Sequence, residues 1–228
     1  ASEADAQHMR RALRLLSVSA LLAMALPATS ALAADCPGAD ATPAAGTIAQ
    51  AAQATLCLLN NQRAAAGLSA LAEQTQLTQA STAFSQLMVD QHFFAHVSPG
   101  GSQLTDRLTS AGYLGRPGSW LVGENIAWGE AYLATPANIV KAWMNSPPHR
   151  ANILNGDFEE IGLGIVPATP LTSNAGATYT TDFGRRRLDG GSQSQDGLEV
   201  APTAKATPAK PSPSAGTKAK AAPRKAAA

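Results

Sequence analysis

The chain lacks the short motifs that mark common hydrolases, and it has few residues suited to covalent chemistry. It contains no Gly-x-Ser-x-Gly and no His-Glu-x-x-His pattern, so the signatures of a serine hydrolase elbow and of a zinc protease helix are both missing. It has two cysteines and four histidines in 228 residues, and no internal repeat. Function therefore has to be sought in a small number of dispersed polar residues.

Basic residues are also scarce in the central part of the chain. Residues 34–189 hold eight Lys or Arg against twelve Asp or Glu, whereas residues 190–228 hold six Lys or Arg against two acidic residues. The formal net charge of +1 therefore conceals an acidic domain and a basic tail. Because the domain has no basic face, we expect no nucleic-acid partner.

The basic tail begins where the composition changes. From residue 190 onward the chain is rich in Ala, Pro, Ser, Thr and Lys and has almost nothing to bury, which predicts a disordered tail over residues 190–228. Its charge suits an anionic envelope surface, and a solvated spacer is an equally good interpretation. No apolar segment follows, so nothing indicates membrane insertion at this end.

The N-terminal residues have the features of an export signal. Arginines between residues 10 and 14 precede an apolar run over residues 15–26, and Ala-Leu-Ala at residues 31–33 supplies the small residues of a cleavage site. We therefore predict a leader and signal peptide over residues 1–33, with Met9 as the start. The mature chain is expected to have no transmembrane segment and to be secreted, extracellular or held in the cell envelope.

The two cysteines fit such an exported protein. An oxidising compartment favours one disulfide between Cys36 and Cys57, and a pair of free buried thiols is the alternative. A lipid anchor at Cys36 is disfavoured, because Asp35 occupies a position where a lipoprotein signal has a small uncharged residue.

Residues 34–189 are enough for a single domain with one core. Apolar spacing and capping residues predict helices over residues 47–66, 75–92, 103–111 and 136–145, and strands over residues 160–166 and 177–183. Pro147 and Pro148 are expected to end the fourth helix and to place His149 just beyond it. Gly162 and Gly164 would share one strand face and let another layer or a ligand approach closely. Helices followed by strands predict an α+β layered domain.

Three polar residues in turn-rich contexts form a chemically sensible set. His96, Glu124 and His149 can supply a three-ligand metal site with an open position for water. The same residues can act as acid, base and orienting partner in a metal-free site, and spacing alone does not decide between these. His92 lies four residues before His96, but Phe93 occupies the position of the zinc protease glutamate. We therefore interpret His92 as a surface or helix-end residue.

Five motifs stand in a fixed order along the same region. They are LLNNQR at residues 58–63, FFAHVSP at 93–99, GENIA at 123–127, AWMNSPPHR at 142–150 and EIGLG at 160–164. As an ordered set they closely resemble the CAP superfamily, which includes cysteine-rich secretory proteins, insect venom antigens and plant pathogenesis-related proteins. The resemblance covers about residues 55–184, and it is strongest to the bacterial SCP-like extracellular branch.

The resemblance implies an α-β-α sandwich with a central, mostly antiparallel sheet and a cleft lined by two histidines and acidic residues. His96 and His149 match the two cleft histidines, which in many members hold a divalent metal, often zinc. Glu124 matches the glutamate of the Gly-Glu-Asn motif, with Asn125 beside it as a supporting residue.

One position departs from the family pattern. Ser146 stands where the eukaryotic pattern has a second glutamate, so the expected four-residue cleft is incomplete. We treat Ser146 as a supporting cleft residue, and we hypothesise that Glu160 supplies the missing carboxylate from a neighbouring strand.

The resemblance implies an exported module that binds a lipid, an envelope glycan or a peptide in this cleft. The first alternative is a hydrolase of peptide or envelope glycan, in which His149 or Glu124 activates water directly or on a metal. The second is an envelope-tethered structural domain with a vestigial cleft. Family membership by itself does not decide between binding and catalysis.

Overall fold

The computed structural model describes residues 35–188 and 199–200 of the chain, the last two by their backbone alone. The predicted leader over residues 1–33 lies outside the described residues, as does the predicted tail apart from residues 199–200. Among the residues described, no helix has both the length and the apolar character needed to cross a membrane.

The described residues form five α-helices and one five-stranded sheet. The helices are α1 (Ile48–Ala65), α2 (Thr75–Asp90), α3 (Leu104–Ser110), α4 (Pro136–Met144) and α5 (Pro147–Ile153). The strands are β1 (Ala72–Glu73), β2 (Gly118–Glu130), β3 (Glu160–Val166), β4 (Gly176–Leu188) and β5 (Glu199–Val200). The predicted helices over residues 47–66, 75–92, 103–111 and 136–145 are confirmed to within two residues at each end.

The sheet has the strand order β1-β3-β4-β2-β5. The three long strands are antiparallel, since β4 pairs with β2 on one side and with β3 on the other. The two-residue strands β1 and β5 are parallel to β3 and β2 and form the edges of the sheet. The expected mostly antiparallel central sheet is therefore confirmed.

Helical layers cover both faces of this sheet. On one face, a Cβ atom at Gly162 would lie 2.1 Å from the backbone carbonyl carbon of Leu77, and one at Gly164 would lie 2.1 Å from that of Ser81. The backbone of α2 therefore rests directly on the glycine face of β3. The opposite face of β3 packs with α1 and α4 through Ile161, Leu163, Ile165, Leu59 and Trp143. This arrangement is the expected α-β-α sandwich.

Strand β2 was not predicted from the sequence, and it carries the GENIA motif. Its residues are buried without interruption from Leu121 to Ala127. Burial on both faces removes the alternation that marks a half-exposed strand, and Gly, Glu and Asn all have low strand preference. The expectation that Glu124 lies in a turn-rich context is therefore wrong.

His149 is also placed differently from the expectation. Pro147 and Pro148 do end α4, but they begin a further helix, α5, at whose first turn His149 lies. Proline fits the first turn of a helix because the backbone N–H groups there have no partner within the helix. The second histidine is thus held by a helix and does not lie in a loop beyond one.

The predicted disulfide between Cys36 and Cys57 is confirmed, with a sulfur–sulfur distance of 2.00 Å. It holds the N-terminal arm against α1. The arm is also held at its far side, where Ala137 N donates to Ala39 O at 2.9 Å and Thr42 Oγ1 donates to Ala131 O at 3.1 Å. The free-thiol alternative is therefore wrong.

Candidate functional site

Glu124 lies near the middle of β2, on the face covered by α2 and α3, and is fully buried. Its Oε1 is 2.7 Å from His96 Nδ1, and its Oε2 accepts a hydrogen bond from Arg107 Nη2 at 2.5 Å. His96 and Glu124, which the sequence analysis singled out separately, are therefore directly paired.

In the neutral form of the His96 ring, this pairing decides which nitrogen carries the hydrogen. A carboxylate only accepts hydrogen bonds, so His96 Nδ1 must be the donor and Nε2 keeps its lone pair. His96 Nε2 is buried and has no hydrogen-bond partner among the described residues. The His96 side chain is 14% exposed, so the free nitrogen lies close below the protein surface.

Arg107 is a site residue that the sequence analysis missed. Its Nη1 donates to the backbone oxygens of His96 at 3.1 Å and of Ser102 at 3.2 Å, which fixes the loop that carries the histidine. Its guanidinium carbon lies 3.5 Å from the centroid of the Phe84 ring. A single arginine in a short helix gives no sequence signal that separates it from an ordinary exposed residue.

His149 is the second imidazole of the site and is 1% exposed. Burial lowers the pKa of His149 to about 4, and a proton on His96 would further oppose a charge there. The ring is therefore neutral at physiological pH. Its Nδ1 lies 2.8 Å from Ser146 Oγ, and its Nε2 is buried with no hydrogen-bond partner in the described part of the chain.

Two asparagines fasten the helix that carries His149 to the strand that carries Glu124. Asn125 Nδ2 donates to His149 O at 3.1 Å. Asn152 Nδ2 donates to Asn125 Oδ1 at 2.9 Å and to Glu124 O at 3.2 Å. These side-chain amides set the position of α5 against β2, and through it the position of His149.

Ser146 and Glu160 have different places in this arrangement. Ser146 contacts the His149 ring directly, at the position where the related pattern has a glutamate. Glu160 accepts a hydrogen bond from the Tyr113 hydroxyl at 2.5 Å, and β4 lies between its strand and β2. Glu160 thus has a partner outside the histidine site, and its replacement of the missing carboxylate stays a hypothesis.

Two buried imidazole nitrogens have the chemistry of metal ligands. Neutral imidazole is a common zinc ligand, and His96 Nε2 and His149 Nε2 are both without another partner. Glu124 is not a third ligand, because His96 and Arg107 hold its two oxygens. The described residues contain no group of three or more His, Cys, Asp or Glu placed to hold a metal ion. The three-ligand site hypothesised from the sequence is therefore not formed.

The buried state of His149 predicts a dependence of stability on pH. Its folded pKa of about 4 lies below the usual histidine value of 6.5, so the unfolded chain binds the additional proton. The contribution of His149 to stability is present above about pH 6.5 and is lost as the pH falls towards about 4, with a slope of up to ~1.4 kcal/mol per pH unit.

Urea unfolding of metal-free protein across this pH range measures the effect. We expect His149→Gln, whose amide does not titrate, to remove the corresponding part of the slope. The His92→Gln variant is the control, because His92 is exposed, and it should keep the full dependence of stability on pH. An unchanged slope in His149→Gln would show that His149 is not buried in its neutral form.

A mostly antiparallel sheet lies between two helical layers, a loop histidine pairs with a buried glutamate of the sheet, and a second buried histidine lies at the start of α5. These features define an α-β-α sandwich domain with a histidine-containing site. The chain belongs to the CAP, or cysteine-rich secretory protein, family. The family model matches residues 56–181, more than half of the chain. The matched region contains His96, Glu124 and His149.

Two proteins of Bacillus subtilis (strain 168) are similar in sequence. The uncharacterized protein YkwD is 38% identical over 126 residues, which is 55% of this chain and 44% of YkwD. The uncharacterized membrane protein YlbC is 34% identical over 110 residues, which is 48% of this chain and 30% of YlbC. The chain thus matches less than half the length of either relative.

A solved structure from Bacillus anthracis, an extracellular protein containing an SCP domain, is similar at 28% sequence identity. The match covers 62% of this chain and 43% of that protein, with a TM-score of 0.49.

Proposed function

We propose that this chain is an exported CAP-domain module that binds a ligand between His96 and His149. The observation that supports the proposal most directly is the pair of buried imidazole Nε2 atoms without hydrogen-bond partners. Each buried polar atom left unpaired costs about 1–3 kcal/mol. A ligand that reaches both nitrogens would recover that free energy, so the cleft is prepared to receive one.

The chemistry of the two rings limits the ligand class. Burial holds His149 neutral at physiological pH, and a neutral His96 ring paired through Nδ1 presents a lone pair at Nε2. Such nitrogens accept hydrogen bonds from hydroxyl or amide groups or bind a cation. An envelope glycan, a peptide or a lipid headgroup offers suitable donors.

A divalent cation, with zinc preferred, is the second part of the proposal. His96 and His149 would hold it through Nε2, and Glu124 would orient the His96 ring from behind, as carboxylates do for metal-bound histidines. When bound, such a cation can polarise a ligand oxygen or bound water. With two protein ligands in place of the four of a structural zinc site, we expect binding to be weaker.

Zinc titration of chelator-treated protein by isothermal calorimetry tests the metal part. We expect saturable binding to the wild type and a loss of more than about 100-fold in the His96→Ala, His149→Ala double variant, since even outer partners are worth about 10–100-fold. His92→Ala is the matched control, because His92 is exposed beyond the end of α2. Full binding by the double variant, or none by the wild type, would exclude zinc at this site.

Hydrolysis is the second candidate function, and the His96–Glu124 pair favours it. An imidazole with Nδ1–H held by a carboxylate and Nε2 free has the arrangement of a general base that activates water. Incubation with a peptide and glycan library tests this function. Turnover that is lost in folded His96→Ala and in folded His149→Ala would support the hydrolase, whereas saturable binding without turnover, lost in the same variants, would support the module.

Export is the part of the proposal that concerns location. The disulfide between Cys36 and Cys57 supports it, because such bonds persist in oxidising compartments, and the predicted leader over residues 1–33 agrees with it. Attachment of the basic tail to an anionic envelope surface is a separate hypothesis for residues 190–228.

A further inference from the structure

The segment that joins α5 to β3 contains the dipeptide Asn155-Gly156, the one place in the sequence where glycine follows asparagine. Gly156 is exposed, and its backbone N–H has no hydrogen-bond partner among the described residues. Glycine has no side chain to shield its own nitrogen. Water and base therefore have access to this nitrogen, which is able to act as a nucleophile.

The side chain of Asn155 is held in a position that favours attack by this nitrogen. Its Oδ1 accepts a hydrogen bond from Asp157 N at 2.9 Å, which is the contact of an Asx turn. The turn folds the carboxamide back over the backbone of Gly156. The same N–H group polarises the amide carbonyl and would stabilise the negative charge that develops on Oδ1 when a nucleophile adds to Cγ.

We propose that Asn155 is a site of spontaneous deamidation. The Gly156 nitrogen loses its proton to solvent base and forms a bond to Asn155 Cγ, and the side-chain nitrogen takes up a proton and leaves as ammonia. The product is a five-membered cyclic imide. Water then adds to one of the two imide carbonyl groups and breaks the bond from that carbon to the ring nitrogen, which regains its hydrogen. The reaction consumes water and needs no oxidant, reductant or cofactor.

Arg63 favours one of the two directions in which the imide can open. Its Nη1 lies 2.8 Å from Asn155 O, which becomes the backbone oxygen of the imide. A buried guanidinium stabilises negative charge on this oxygen. Addition of water at the backbone carbonyl leaves a carboxylate there and leads the main chain through the former side chain. We therefore expect isoaspartate as the main product and aspartate as the minor one.

Isoaspartate lengthens the main chain by one methylene group between two anchored points. Arg63 holds both Asn155 O, at 2.8 Å, and Phe158 O, at 3.1 Å. The Phe158 ring is buried and stacks on Phe183. The additional methylene group has to be accommodated within this short segment. We therefore expect isoaspartate to weaken the contacts through which Arg63 holds the end of α5, the helix that carries His149.

Peptide mapping by mass spectrometry tests the reaction in the full chain after incubation in mildly alkaline buffer. The fraction with a carboxyl group in place of the amide should rise with time at Asn155. It should stay at its starting value at Asn174, which is exposed but is followed by Ala175. Electron-transfer fragmentation should identify isoaspartate as the main product. An Asn155 that is modified no faster than Asn174 would overturn the proposal, and aspartate as the main product would overturn the role of Arg63.

Gly156→Ala is the variant that tests the nucleophile. A Cβ at Gly156 would lie 3.4 Å from Leu68 Cδ2, an ordinary contact, and its φ angle is not in the left-handed region, so we expect the variant to fold like the wild type. The methyl group hinders the approach of the nitrogen to Asn155 Cγ. Deamidation at Asn155 should therefore fall to the level of Asn174. Equal rates in the wild type and in Gly156→Ala would show that this nitrogen is not the nucleophile.

Thermal unfolding of aged protein tests the consequence for the fold. The isoaspartyl form and Asn155→Asp carry the same additional charge, but only the isoaspartyl form has a longer main chain. We expect the isoaspartyl form to melt about 2–4 °C below Asn155→Asp, and equal melting temperatures would overturn the predicted strain between Asn155 and Phe158. The inference goes beyond the proposed function and does not rest on it, because every measurement is made without a ligand.

Discussion

Replacing Arg63 with Met is expected to lower the free energy of unfolding by about 3–5 kcal/mol. Arg63 is 1% exposed, and its guanidinium donates to four backbone oxygens. Those oxygens belong to Ser69 at 2.8 Å, Ile153 at 2.8 Å, Asn155 at 2.8 Å and Phe158 at 3.1 Å. Met fills a similar volume but has no donor, so these carbonyl groups lose their common partner.

The position of these carbonyl groups explains why one side chain matters so much. Three of the four carbonyl groups belong to the last residue of α5 and to the segment 154–159, which leads into β3 without regular structure of its own. Arg63 therefore supplies hydrogen bonds that helix or sheet would supply elsewhere. It also ties the end of the helix that carries His149 to α1.

Urea unfolding followed by circular dichroism measures the effect of Arg63→Met. Arg116→Met is the control, because Arg116 is exposed, and we expect a change within ~0.5 kcal/mol there. A similar small change in both variants would show that water can replace the Arg63 guanidinium.

Gly164→Ala is expected to cost at least ~3 kcal/mol, because the added methyl group meets backbone atoms and not a movable side chain. Its Cβ would lie 2.1 Å from Ser81 C and 2.3 Å from both Ser81 O and Thr82 N. Helix α2 would have to move away from β3. That movement would break the hydrogen bond from Ser85 Oγ to Gly164 O, which is now 3.0 Å long.

The same movement of α2 would also displace side chains that contact residues of the candidate site. Helix α2 carries Phe84, which lies against the Arg107 guanidinium. It also carries Ser81, which donates to Asp182, the residue of β4 that pairs with Glu124 in the sheet. We therefore expect weaker zinc binding as well as lower stability in Gly164→Ala.

Gly46→Ala is the matched control for Gly164→Ala. A Cβ at Gly46 has no atom within 4 Å, and its φ angle is not in the left-handed region. We expect this variant to remain within ~1 kcal/mol of the wild type. Equal melting curves for the two glycine variants would show that the contact between α2 and β3 can relax freely.

The helices could be predicted because their evidence is local. The apolar stripe of α2, with Leu77, Phe84 and Met88, needs only the helical period, and its buried side chains match that stripe. Strand β3 alternates Ile161, Leu163 and Ile165 with smaller or polar residues, which is again visible within a few positions. Strand β2 could not be predicted in this way, because its buried polar residues are satisfied by distant groups.

The residues of the candidate site were predictable to the same extent: those in ordered motifs were found, and those without a local signal were missed. His96, Glu124 and His149 were selected through ordered motifs, and the structure brings His96 and Glu124 into direct contact. Arg107 carries no local signal, since it is a single arginine in a short helix. Glu160 had a suggestive position in the sequence, but its partner is Tyr113.

By itself, the sequence determined four of the five described helices, strand β3 and the central part of β4, the order of the family motifs and the choice of three candidate site residues. These depend on short-range periodicity and on motif order. Only the tertiary structure decided which nitrogens are free and that Glu124 is held by Arg107. Those properties depend on burial and on donors brought from separate elements, because a carboxylate or an imidazole acquires its state from neighbours that are distant along the chain.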